Sequence, residues 1–133
     1  LTTQRAITRP VKVCIPCDGP GGPDSAISSP FEETGVLDYY DVHPDGMFEH
    51  TSQARNCGAA TCVDPVEAII GRGVEAVVVT SLSPSSLMRF HNAGVKVLVT
   101  DNPSVMVTLD MLARGGLQEL TMEMFATLGK KDG

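Results

Sequence analysis

Four cysteines are the residues best suited to chemistry here: Cys14 and Cys17, spaced C-x2-C, and Cys57 and Cys62, spaced C-x4-C. Thiolates are natural ligands for soft metals and iron–sulfur units. Neither spacing repeats the short knuckle of a structural zinc site. Three readings stay open. Cys17, Cys57 and Cys62 could share a metal or cluster; any of the four could be a small buried side chain; and Cys57 with Cys62 could form a redox or disulfide pair. Four cysteines in 133 residues are too sparse for a disulfide scaffold.

The elements that would position them follow from the apolar runs. Val11-Lys12-Val13-Cys14-Ile15-Pro16-Cys17 is short and apolar on both faces, as a central strand covered on both sides should be. Pro16 cannot donate to a ladder, and Asp18-Gly19 is a turn, so Cys17 and Asp18 stand at the strand's C-terminal end. That edge is where open α/β sheets bind ligands. Cys14 lies three residues back, roughly 10 Å away and on the opposite face, which makes it a core residue.

Val36 to His43 reads as a strand, Pro44-Asp45-Gly46 as a tight turn, and Met47 to Thr51 as the returning strand. His43 and His50 are expected as solvated strand-end residues. Asp64 with Pro65 and Glu67 marks a helix start, closed by Gly73. Val74 to Thr80 is a buried strand. Ser83-Pro84 starts a second helix, and His91 sits near its C-terminus. Val95 to Thr100 is a further strand, and a third helix begins near Ser104.

The order is β-β-β-α-β-α-β-α, and helix-linked strands run parallel through right-handed crossovers. The expected fold is a mixed five-stranded α/β sheet with helices on both faces. The first strand is central, the hairpin lies on one side, and the Val74 and Val95 strands lie on the other. Residues 1–10 are read as a loose arm, 11–120 as one domain, and 121–133 as a tail with a short helix over 122–128. All three helix N-termini then share an edge with Cys17. Free backbone N–H groups and positive dipole ends would make that edge receptive to an anion. Cys17, Cys57 and Cys62 are the candidate metal ligands. Asp18, Ser81, Ser83, Ser85 and Asn102 supply a polar wall.

Composition narrows the partners. A formal charge of −6 with few clustered cations argues against nucleic acid. No apolar run reaches membrane-spanning length, and no signal-peptide core is present, so the expected location is cytoplasmic. Gly-x-Ser-x-Gly, phosphate-loop and dinucleotide signatures are absent, and no catalytic residues are assigned.

Taken in order, VKVCIPCDG, Ser29-Pro30-Phe31-Glu32, Tyr39-Tyr40-Asp41-Val42, GRGVEAVVVT, NAGVKVLVTD and the closing Gly-Gly-Leu resemble the dinitrogenase iron–molybdenum cofactor biosynthesis family. That family includes nitrogenase-cofactor carriers and the molybdenum–copper orange protein. The resemblance spans about residues 11–117. It implies a ribonuclease-H-like fold and a small carrier or scaffold, not an enzyme. The cargo it implies is an iron–sulfur, molybdenum–iron–sulfur or molybdenum–copper cluster, exchanged with assembly or acceptor proteins. Where many members have His-Phe-Gly, this chain has Pro30-Phe31-Glu32.

Overall fold

The structure is a computed structural model and describes residues 2–18, 20–29, 31–55 and 64–121. Cys57, Cys62 and the helix expected over 122–128 lie outside the described residues. In chain order the elements are strands Thr2–Thr3 (β1), Val11–Cys17 (β2), Val36–Val42 (β3) and Phe48–Arg55 (β4), then helix Pro65–Gly71 (α1). Strand Ala76–Val79 (β5), helix Pro84–Asn92 (α2), strand Lys96–Val99 (β6), helix Val105–Arg114 (α3) and strand Gln118–Leu120 (β7) follow. A 3-10 turn, Phe31–Glu33, precedes β3.

One mixed sheet results, ordered β1-β7-β6-β5-β2-β3-β4. β2 is the middle one of the five longer strands: it pairs antiparallel with β3 and parallel with β5, and β5 pairs parallel with β6. The five long strands therefore stand in the expected order, but among the described residues the sheet has seven strands, not five. β7 pairs antiparallel with β6, and β1 with β7, drawing in part of the segment expected as a loose arm. These added strands are only two and three residues long and mostly polar, so they carry no alternation; their partners specify them. β4 also runs four residues past Thr51, to Arg55, with a register shift opposite Tyr39 and Tyr40.

The helix starts follow their caps. Asp64 Oδ1 accepts from the N–H of Val66 at 2.9 Å, Ser83 Oγ from Ser86 at 3.2 Å, and Ser104 Oγ from Val107 at 3.3 Å. Each such cap contributes about 1 kcal/mol. Pro65 and Pro84 fill first-turn positions where no N–H is needed.

Strand alternation sorts the core into two layers. Val13, Ile15, Cys17, Tyr40, Val42 and Val78 pack on the α3 face with Val105, Leu109 and Leu112. Cys14, Tyr39, Val77 and Val79 face α1 and α2, meeting Val66, Ile69, Leu87 and Phe90. Phe31 joins this second layer edge-on to Phe90, ring centroids 5.6 Å apart. Cys14 and Cys17 thus lie on opposite faces of β2, as their spacing requires. No described helix is long and apolar enough to cross a membrane.

Candidate functional site

β5 leads into α2 and β6 into α3, so the N-termini of both helices lie at the C-terminal edge of the parallel strands, beside the end of β2. The segment after β2 is stitched across this edge. Asp18 N–H donates to Ala26 O at 2.9 Å, Ser28 N–H to Pro16 O at 3.0 Å and Ile27 N–H to Pro103 O at 2.7 Å. Val105 N–H donates to Ser25 O at 3.2 Å, and Phe31 N–H to Ser81 O at 2.9 Å.

Asp18 is exposed and accepts from Ser28 Oγ at 3.0 Å. Ser81 Oγ lies 3.1 Å from Ser29 Oγ, and Ser83 Oγ lies 3.1 Å from Ser85 Oγ. Asn102 Oδ1 accepts from the N–H of Ser104 at 2.9 Å, and its own N–H donates to Thr100 Oγ1 at 3.1 Å. The residues expected as a polar wall fall into three small groups: Asp18 with Ser28, the serines around the α2 start, and Asn102 at the α3 start. Among the described residues no group of three or more His, Cys, Asp or Glu side chains is arranged to hold a metal ion. What the described edge carries is hydroxyl, amide and backbone polar groups, the kind that can meet an anion's outer atoms.

Two expectations need correction. The sequence predicts an edge lined by free N–H groups, yet several are taken by the chain itself. The Val105 N–H goes to Ser25 O, and the Ser83 N–H goes to Glu32 Oε2 at 3.0 Å, which also accepts from Ser86 Oγ at 2.5 Å. Burial alone would raise the Glu32 pKa, but these hydrogen bonds outweigh it and hold the carboxyl below its ordinary value. The start of α2 therefore stabilises negative charge, and the chain supplies a carboxylate to it.

The second correction concerns Cys17. It closes β2 as expected, but its side chain is fully buried and its thiol donates to Ile15 O at 3.1 Å. Burial, then the negative charge of Asp38, push its pKa up, so it is a neutral thiol and not a thiolate at the surface. Cys14 is likewise buried, and desolvation raises its pKa well above the ordinary thiol value. The covering comes from Ile27, which bridges to Cys17 from ten residues on; nothing near Cys17 in sequence announces it.

Sequence reasoning missed Asp38. It is a wholly buried carboxylate on β3, on the same face as Cys17 and Tyr40. Gly22 N–H donates to its Oδ2 at 2.6 Å, Gln53 Nε2 donates to its Oδ1 at 2.7 Å, and His50 Nε2 lies 2.9 Å from that oxygen. His50, expected as a solvated strand-end residue, instead stacks on Tyr40 with ring centroids 4.8 Å apart. An acidic residue flanked on both sides by apolar ones, as in Val36-Leu37-Asp38-Tyr39-Tyr40, is the signal that could have found it. Asp18 and Glu67, the carboxylates nearest the edge in sequence, meet Ser28 and Arg89.

With this geometry in place, the chain can be set beside known proteins. The model of a family described as dinitrogenase iron-molybdenum cofactor matches residues 11–115. The chain belongs to that family. Among solved structures, it is similar to a Thermotoga protein provisionally named NifB, with 27% identity, a TM-score of 0.66, and coverage of 84% of this chain and 95% of that one. A Methanocaldococcus jannaschii protein provisionally named a dinitrogenase gives 16% identity and a TM-score of 0.64, covering 84% and 96%. The apo form of the orange protein from Desulfovibrio gigas gives 13% identity and a TM-score of 0.61, covering 86% and 100%. The last two likenesses concern the fold alone. Among curated proteins none matches the chain significantly. The family match runs from the start of β2 to the end of α3, so β1 and β7 lie outside it.

Proposed function

We propose that this chain is a carrier or scaffold for an anionic metal–sulfur cluster, with no reaction of its own to catalyse. The cluster, of iron–sulfur, molybdenum–iron–sulfur or molybdenum–copper type, is the cargo, received from and passed to assembly or acceptor proteins. It sits at the C-terminal edge of the parallel strands. Membership of the iron–molybdenum cofactor family supports the class of cargo. The observation that carries the placement is Glu32, a carboxylate seated on the start of α2 and kept ionised by it. An incoming anion competes with Glu32 for these donors, so the cluster takes this seat where the carboxylate gives way.

Ser81, Ser83, Ser85 and Asn102 would contact the cluster's outer sulfur atoms through hydroxyl, amide and backbone donors. Asp18 would border the seat. Soft ligation falls to Cys57 and Cys62 in the segment before α1, with Cys17 contributing only once uncovered. The test is the metal and acid-labile sulfide content of protein purified under anaerobic conditions. The proposal expects a visible absorption band with molybdenum, iron or copper bound together with sulfide. Colourless, metal-free protein containing a titratable disulfide would favour thiol redox chemistry instead; colourless protein with neither would favour a regulatory interaction domain.

A further inference from the structure

At the N-terminal end of the parallel strands, opposite the candidate edge, lies a cavity of about 660 Å³. β5 and β6 begin there, at Ala76 and Lys96, and residues 4–9 line it on their way from β1 to β2. Both ends of that strap are fastened. Gln4 N–H donates to Leu117 O at 2.6 Å, Gly116 N–H to Gln4 O at 3.0 Å, and Gln4 Nε2 to Leu112 O at 2.8 Å. A Cβ on Gly115 would fall 2.6 Å from Ala6 N, so the strap lies directly on the turn after α3. At the far end Arg9 donates to Glu75 through two nitrogens, Nη1 to Oε2 at 3.1 Å and Nη2 to Oε1 at 2.5 Å.

The lining has two kinds of surface. Ile7, Val11, Ala76, Leu98 and Leu112 belong to or pack against the α3-face layer and give an apolar floor. Arg5, Lys96 and Glu119 add charge to it. Arg9 and Glu75 satisfy one another, but among the described residues no side chain pairs with Arg5, Lys96 or Glu119. The backbone N–H groups of Arg5, Ala6, Thr8 and Arg9 likewise donate to no described group. Two unmatched cations against one carboxylate leave this lining positive in a chain of formal charge −6.

An apolar lining with a few polar groups, in a volume between about 300 and 1,000 Å³, is the form of a small-molecule site. The charge selects the ligand. A guanidinium matches the two oxygens of a carboxylate in a planar fork, and an ammonium adds a point charge. The floor sets a second requirement, because only an apolar body gains from covering it. Tetrathiomolybdate has no such body and gains nothing there.

We propose that this cavity binds a free organic carboxylate with an apolar body. Arg5 and Lys96 hold its head, and Ala76, Leu98 and Leu112 receive its body. The site is separate from the candidate edge and stands whether or not the chain carries a cluster.

The test uses decanoate as the probe, with decyltrimethylammonium as the same chain under the opposite charge. Isotope-labelled protein titrated with decanoate should show saturable amide shifts at residues 4–9, 74–76 and 94–98, with residues 81–86 unchanged. The cationic probe should bind more weakly by about tenfold or more, the effect of losing one charge-assisted hydrogen bond. Arg5→Gln combined with Lys96→Gln, both at exposed positions and therefore compatible with folding, should weaken decanoate by a similar factor. Decanoate shifts elsewhere or none at all, equal binding of the two probes, or an unchanged affinity in the double variant would each overturn the assignment.

Discussion

The backbone N–H of Ser83 donates to Glu32 Oε2 at 3.0 Å, so the first turn of α2 is met by a carboxylate from fifty-one residues earlier in the chain. Ser86 Oγ donates to the same oxygen at 2.5 Å. The pair links the 3-10 turn before β3 to the candidate edge and accounts for the lowered pKa of Glu32.

That shift fixes a sign. An acid held below its ordinary value of 4.5 stabilises the fold above that pH, and the contribution disappears as pH falls through the folded value. Glu32→Gln lacks this contribution at every pH. The gap between wild type and variant, from urea unfolding, should be a few tenths to about 1 kcal/mol near neutrality, because Glu32 is largely exposed and screened. It should shrink once pH drops below the ordinary value. A gap independent of pH would remove the charge of Glu32 from the account.

The two neighbouring glycines should behave differently. Gly21 and Gly22 both have φ near +90°, so alanine at either costs about 1 kcal/mol in backbone conformation. Only at Gly21 does a Cβ also collide, with Gln53, Asp38 and Val36; at Gly22 it meets nothing within 4 Å. Gly21→Ala is expected to cost about 1–3 kcal/mol more than Gly22→Ala, the usual penalty for overpacking. Equal unfolding midpoints would contradict the close approach.

Alkaline pH should destabilise the protein before its tyrosines titrate. Burial raises the pKa of Cys14 and of Cys17 above the ordinary 9.0, so the unfolded chain loses these protons first. Stability is fully present below that value and falls above it, with a slope approaching about 1.4 kcal/mol per pH unit for each buried thiol. Cys14→Ala should flatten the decline by one thiol's share in unfolding curves taken at a series of alkaline pH values. An undiminished slope would mean that Cys14 ionises in the folded protein.

Legibility in the sequence follows the locality of the signal. β2 is readable because Val11 to Cys17 is a continuous apolar run, and α2 because Ser83-Pro84 carries cap and first turn together. β1 and β7 are not, since Thr2–Thr3 and Gln118–Leu120 become strands only through their partners. Cys17, the serines and Asn102 locate the candidate edge, but they do not disclose its electrostatics. The partners that fill it, Glu32 on Ser83 and Ser25 on Val105, come from distant segments. The burial of Cys17 under Ile27 and of Asp38 under Gly22 is non-local in the same way.

Folding and loading should separate at the second cysteine pair. The described core closes through apolar layers on both faces of the sheet, with no metal in that accounting. Replacing Cys57 and Cys62 together by serine should leave a cooperative unfolding transition while strongly reducing metal uptake. A melted double variant would point to a structural metal or disulfide, for which binding and folding are one event. A folded variant with full uptake would exclude both residues as ligands.

The central claim is that an anionic metal–sulfur species binds where α2 and α3 begin, and backbone amide shifts test it most directly. Isotope-labelled protein titrated anaerobically with tetrathiomolybdate should show saturable changes concentrated at residues 28–33, 81–86 and 102–107. The contrasting location is a cavity of about 660 Å³ at the other end of the sheet, lined by Arg5, Arg9, Glu75, Lys96 and Leu112 among others. Changes centred on that cavity, or none at saturating ligand, would contradict the account.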